Sequence, residues 1–306
     1  AIFAGIVTGI LLPLVRQSLG GRATTVIVLS ILSAAMMIPM CLFAKERVIE
    51  REKARDGGAE ENYTLRDMVE CLRSNKYLLI FFAAPLINSL LNIGATWGLY
   101  IARYCLGGEE IASFVSMAVI VPTLIGAAIA VQLCKKYDKF KIFYFSYMFA
   151  LILGIVRYIA GYENMMVYVI LNALGGFPLG IAAILQYQFT PDCYEYGQYK
   201  TGLKMRGVTF AAQTFFTKLN GAIATAVSVF ALTLIGFKEG EGVVQAAGFA
   251  DKLWTFSCLG SIIGGIGTLL ILRLYKLNDH DVQLMSKCNN GEITREEAEA
   301  QMINRY

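Results

Sequence analysis

Of 306 residues, 56% are hydrophobic and only 16% charged, with a mean hydropathy of +0.55. A soluble domain carries roughly 45–50% apolar and about 25% charged residues, so composition excludes an ordinary water-soluble globule. The net charge of +4 excludes little until the basic residues are assigned to sides.

Taken in chain order, the apolar residues fall into runs of the length that crosses a bilayer as helix, about 20 residues. Residues 1–15 form a short first run. Runs 23–43, 77–102, 111–134, 164–191 and 253–272 contain no charged residue or histidine. Run 142–162 is interrupted only by Arg157, and run 207–237 only by Lys218. None shows the alternation of a strand, and a lipid-facing open sheet would leave backbone groups unsatisfied. The expected fold is an all-α polytopic membrane bundle with eight spans.

Between the second and third spans lies the longest polar stretch, 44–76, with mixed charges and the pair Gly57-Gly58. It reads as a solvated central loop with a short amphipathic helix over 64–73. Six spans follow, over 77–276, and then a polar tail, 277–306, in which 290–306 reads as a short surface helix. Six spans after a long loop resemble half of a twelve-span transporter built from repeats, which makes 1–43 the last two helices of an N-terminal bundle. The chain opens inside an apolar run without the basic flank of a signal peptide, and its start is read as lying within a longer protein. Seven cysteines (Cys41, Cys71, Cys105, Cys134, Cys193, Cys258 and Cys288) form no C-x-x-C pair, which argues against a disulfide framework or structural zinc.

Basic residues set the orientation. Segments 45–76, 135–141, 200–206 and 273–306 share one side and carry 20 Lys and Arg, against 6 on the other. By the positive-inside rule the first set faces the cytoplasm, and so does the C-terminus.

A charge near the bilayer centre is costly and marks function by default. Lys218 lies 12 residues beyond Arg206, about 18 Å along a helix and near the midplane. Thr214 is four residues earlier on the same face, and Gln213, Thr217 and Gly221 form the adjacent stripe. Such a lysine can donate to a polyol or pair with a carboxylate on another helix; the alternative is a lysine neutralised purely for packing. Asn88 and Asn92, also four apart, make a second polar stripe suited to a sugar or to interhelical bonding. Gln186, Tyr187 and Asn172 are weaker candidates. Arg103 and Arg157 fall at helix ends, where snorkelling accounts for them. Gly175, Gly176, Gly180, Gly260, Gly264, Gly265 and Gly267 are expected to let helices approach closely.

Two further segments have charge patterns suited to gating. One is a tight turn, 135–141, with Asp138 among lysines. The other is a loop, 191–202, with Asp192 and Glu195. Either can form ion pairs that break as two halves rock. The second reads P-D-x-x-E-Y-G-x-x-K-T-G, followed by Gly207 and Gln213-Thr214-x-x-x-Lys218. It resembles the glycoside–pentoside–hexuronide:cation symporters, the melibiose-permease-like branch of the major facilitator superfamily. Leu12-Pro13-Leu14-Val15, the Asp138 turn and Tyr100-x-x-x-Tyr104-x-x-Gly107 extend the likeness along the chain.

The resemblance implies helices five to twelve of twelve, with Lys218, Gln213 and Thr214 lining the central cavity and Asn88 and Asn92 opposite. It places the cation site on aspartates of helices two and four, which lie outside these eight spans. The pattern departs in two places. Lys204 and Arg206 stand where the family has a basic residue followed by an acid, and Ala183 stands where melibiose-type members carry a sugar-stacking aromatic.

The expected function is cation-coupled symport of a sugar or glycoside by alternating access, with Na⁺ or H⁺ as coupling ion and no other cofactor. Expected partners are the solute, a monovalent cation and the lipid of a bacterial inner membrane, with no nucleic acid, for a monomer. A lipid-modifying membrane enzyme would need clustered Asp, His or Glu at a membrane surface, whereas the one histidine, His280, lies in the tail. A non-transporting sensor or scaffold of the same fold stays open.

Overall fold

The structure is a computed structural model that describes residues 65–238 and 244–306, with Gly240 and a few helical positions between 27 and 38. By internal contacts the chain divides into two units, 1–65 and 66–306. The expected spans 1–15 and 23–43 and the loop 44–64 lie outside the residues described, apart from those few positions.

The second unit is helical throughout its described elements. A short helix, α1 (Leu65–Ser74), matches the one expected over 64–73. Then come α2 (Lys76–Leu91), α3 (Gly98–Tyr104), α4 (Glu110–Leu133), α5 (Lys139–Ala160), α6 (Met165–Leu185), α7 (Phe189–Thr201), α8 (Arg206–Leu234) and α9 (Phe249–Leu272). The tail adds α10 (Asp279–Asn289) and α11 (Arg295–Gln301). Polar side chains start the helices at their caps. Asn75 accepts from Leu78 N–H, Asp138 from Phe140 and Lys141 N–H, and Asn164 from Met166 and Val167 N–H. Thr294 and Glu297 form a capping box on α11.

Among the described residues, five helical stretches are long and apolar enough to cross a membrane: α4, α5, α6 running on into α7, α8 and α9. They match five of the six expected spans. The sixth, 77–102, is not continuous. Its first part, α2, has 16 residues, about 24 Å at 1.5 Å each and short of a 30 Å core. The chain then leaves the helix at Asn92 and resumes as α3 at Gly98. The break has a packing cause. A methyl group on Gly94 would lie 2.5 Å from the Ser257 Cα of α9, and fully buried Trp97 donates from Nε1 to the Ser228 carbonyl of α8 at 3.0 Å.

Close helix pairing rests on glycine, as expected, at all but one of the positions named. A Cβ at Gly180 would lie 2.0 Å from the Thr123 carbonyl oxygen, and at Gly176 2.5 Å from that of Val119, so α6 lies backbone to backbone on α4. Gly260, Gly264 and Gly267 of α9 seat the end of α2, and Gly265 faces Leu151 of α5. Gly175 is the exception, with open space at its Cβ position.

Two aromatic clusters close the ends of the bundle. At the lysine-rich end, Tyr77, Phe81, Phe143, Phe189, Tyr196 and Tyr275 pack together. At the other, Trp97, Tyr168, Phe249 and Trp254 do so. The segment expected as a loop over 191–202 is helical instead. Pro191 sits in the first turn of α7, where a missing N–H costs nothing, and Gly202 ends it at φ 74°. The short surface helix expected within 290–306 is present as α11, and α10 precedes it, with Asp281 in it completely buried.

Candidate functional site

Lys218 sits at the thirteenth of the 29 residues of α8, about 18 Å from one end and 24 Å from the other. Thr214 and Lys218 are both exposed on the surface of this unit, and Gly207, Ala211, Gly221 and Thr225 continue the same strip. The strip is small and polar, whereas the flank beside it carries the exposed apolar Phe215 and Phe230. Among the described residues no acid pairs with Lys218. Thr214 returns its hydroxyl to the Phe210 carbonyl.

Gln213 points the other way. It is buried, and its amide nitrogen has no hydrogen-bond partner among the described residues. The structure therefore joins Thr214 and Lys218 on one face and separates Gln213 from them, because one residue turns the helix by about 100°.

Asn88 and Asn92 do not share an uninterrupted helix. Asn92 is the C-cap of α2 and donates its backbone N–H to the Asn88 carbonyl at 2.7 Å. Both lie against Gly264 of α9, and no hydrogen bond joins either to Lys218 among the described residues. The polar link between α2 and α8 comes from residues that sequence reasoning missed. Ser89 Oγ donates to Asn220 Oδ1 at 2.6 Å. Asn220 was accessible to the rule applied to Lys218, since it too is a polar residue in an apolar span.

The gating candidates converge on the lysine-rich end. Lys139 Nζ lies 2.8 Å from Asp192 Oδ2 and 3.2 Å from Asp279 Oδ1, so one ammonium on α5 bridges carboxylates of α7 and α10. Asp138 caps α5 and also accepts the Asp279 N–H at 2.8 Å, while Asp279 accepts the Lys139 N–H at 2.9 Å. Glu195 receives the Asn289 amide at 2.9 Å, a second tie from α7 to α10. Lys204 lies in the exposed segment before α8, and Arg206 begins α8 with its guanidinium 5.9 Å from the Phe210 ring. Lys139, Asp279 and Asn289 escaped the sequence reading because their partners lie 53 to 140 residues away.

Of the arginines assigned to helix ends, Arg103 pairs with Glu109 at 3.3 Å. Arg157 reaches Asn172 Oδ1, also at 3.3 Å.

Among the described residues the chain is thus a helical bundle with a broken helix and a lysine midway along an apolar one, and related proteins carry transporter names. "Uncharacterized symporter YjmB" of Bacillus subtilis is 24% identical over 77% of this chain and 50% of its own length. "Putative glycoside/cation symporter YagG" of Escherichia coli is 23% identical over 84% of this chain and 54% of its own. A "Putative sulfoquinovose importer", also of Escherichia coli, is 22% identical over 77% and 51%. The chain thus spans about half the length of the curated relatives it matches. The family model described as MFS/sugar transport protein matches residues 1–279, and the chain belongs to that family of membrane transporters.

Proposed function

We propose that the protein carries a sugar or glycoside across the bacterial inner membrane in symport with Na⁺ or H⁺, by alternating access between two helical halves. The observation that carries this reading is Lys218, a cation held midway along α8 on a strip of small and polar residues. An ammonium at that depth, with no acid beside it among the described residues, is too costly to keep for packing alone. Gly207, Ala211 and Gly221 keep the strip free of bulky side chains, and Thr214 adds a hydroxyl on the same face.

An ammonium also suits an acid-bearing sugar, such as a uronide or a sulfonated hexose, through charge-assisted bonds. One relative is named a sulfoquinovose importer, a sugar of that class, and another a glycoside/cation symporter. Gln213, Asn88 and Asn92 bound the same helices, and the break at 92–97 has the form of the discontinuous helices that flank carrier sites. The ion pairs of Lys139 with Asp192 and Asp279, the Asp138 cap that joins α5 to α10 and the Glu195–Asn289 bond form the inner gate, with Lys204 and Arg206 assigned to it from the start of α8. The 20 basic residues of one side support a cytoplasmic C-terminus.

The test is uptake by the intact protein in membrane vesicles, offered neutral sugars, uronides and sulfosugars under separate Na⁺ and H⁺ gradients. Accumulation of one solute driven by one ion is the expected outcome, and Lys218→Ala abolishes it while the variant still inserts. Silence across the panel from inserted protein would point to a sensor or scaffold. Undiminished accumulation by Lys218→Ala would remove Lys218 from the mechanism.

A further inference from the structure

The turn between α4 and α5 places Lys135, Lys136 and Lys141 on the surface, all exposed. Two cavities meet there. The larger, about 830 Å³, is a basin rimmed by charged side chains and bounded by that turn and by Lys276, Asn278 and His280 of the tail. The smaller, about 360 Å³, runs down between α5 and α6 and is lined by Ile142, Phe145, Phe149, Phe177 and Ile181. Tyr137 and Lys141 line both.

The charge at this junction is lopsided. Five lysines line the basin, at 135, 136, 139, 141 and 276, against three acids, Asp138, Asp192 and Asp279. Those acids are engaged: Asp192 and Asp279 by Lys139, and Asp138 by the backbone of α5 and α10. Among the described residues no acid pairs with Lys135, Lys136 or Lys141. The groove below is chemically the opposite. On α5 it follows residues 141, 145 and 149, one face over about 12 Å. The hydroxyl that enters it, from Ser146, is already donated to the Phe143 carbonyl at 2.7 Å. Both α5 and α6 are long and apolar enough to cross a membrane, which would open the groove toward hydrocarbon and its mouth toward headgroups.

We propose that this junction holds one anionic diacyl phospholipid, with its phosphate at Lys136, Tyr137 and Lys141 and one acyl chain in the α5/α6 groove. Charge complementarity selects the anionic headgroup, and the continuity of a basic rim with an apolar groove selects a lipid over a soluble phosphate. The site is separate from the strip around Lys218 and does not depend on which solute is carried.

The test is lipid retention by the intact protein in neutral detergent, read by native mass spectrometry and by melting temperature. Phosphatidylglycerol is expected to stay bound as a single copy and to raise the melting temperature, while phosphatidylcholine does neither. The double variant Lys136→Gln/Lys141→Gln alters only exposed residues. It is expected to weaken retention by about thirtyfold, the share of two juxtamembrane lysines. Equal retention of phosphatidylcholine, or no change in the double variant, would overturn the proposal. So would full competition by glycerol phosphate, which would identify a soluble-anion site.

Discussion

Asp281 shows how much one side chain can organise. Its carboxylate is fully buried and accepts from the N–H groups of Ile303 and Asn304, the hydroxyl of Tyr306 and the amide of Asn278, at 2.8 to 3.1 Å. Burial acts to raise this carboxyl, but the four donors outweigh it and hold it below the ordinary range. Tyr306 moves the other way, pushed up by burial and by the bond it gives to Asp281. A carboxyl depressed on folding stabilises above its unfolded value, near 4, and loses that contribution as pH falls through the folded value. Docking of residues 303–306 is therefore expected to hold from neutral pH to about 4 and to weaken below it. Asp281→Asn is expected to cost roughly 3 kcal/mol of local stability at neutral pH, the upper range for bonds to a charged group. Amide hydrogen exchange at Ile303 and Asn304 measures both effects; unchanged protection in the variant would reassign the anchor. The sequence could not reveal this residue, since three of its donors lie 22 to 25 positions away. Lys218 and Thr214 were legible because their helical spacing is local.

At the scale of elements, the glycines of α6 make an internal comparison. A Cβ at Gly180 meets the backbone carbonyl of Thr123 at 2.0 Å and one at Gly175 meets nothing within 4 Å. Backbone cannot yield as a flexible side chain can, so Gly180→Ala is expected to force α4 and α6 apart and cost about 1–3 kcal/mol. Gly175→Ala should stay within about 0.5 kcal/mol of the parent. Melting temperatures in detergent decide it, and equal shifts would mean that the α4/α6 approach is adjustable. Composition identified both glycines as packing residues without saying which one touches a neighbour's backbone. The same limit hid the break in the first span of this unit. Hydropathy averaged over 77–102 is uniformly high, whereas the break depends on Gly94 meeting Ser257 and Trp97 meeting Ser228, far along the chain. For α7 the signal was present and was outweighed by polarity: a proline in the first turn and a glycine just past the last are the marks of a helix.

For the molecule as the carrier proposed above, the question is whether the charged end is a fixed brace or a latch. Lys139 holds Asp192 and Asp279 together, so two carboxylates share one ammonium, while Asp138 beside them accepts the Asp279 N–H. Both partners of the Lys139–Asp192 pair are mostly buried. Removing one member of such a pair strands the other and costs about 3–5 kcal/mol, while replacing both is often close to neutral. Lys139→Gln is therefore expected to lower stability sharply, and Lys139→Gln/Asp192→Asn to recover much of it, the coupling being the non-additive remainder of the cycle. Transport then separates the two roles. A brace predicts that the double variant, once stable, accumulates solute like the parent. A latch predicts recovered stability with altered transport, because the barrier between inward-open and inward-closed forms has changed while the fold has not. The three elements it joins are α5, α7 and the tail helix α10, and the proposed gate lies among them. The expected outcome is therefore the latch: a stable double variant with changed uptake kinetics in vesicles. Parental kinetics in that variant would leave the triad a structural tie.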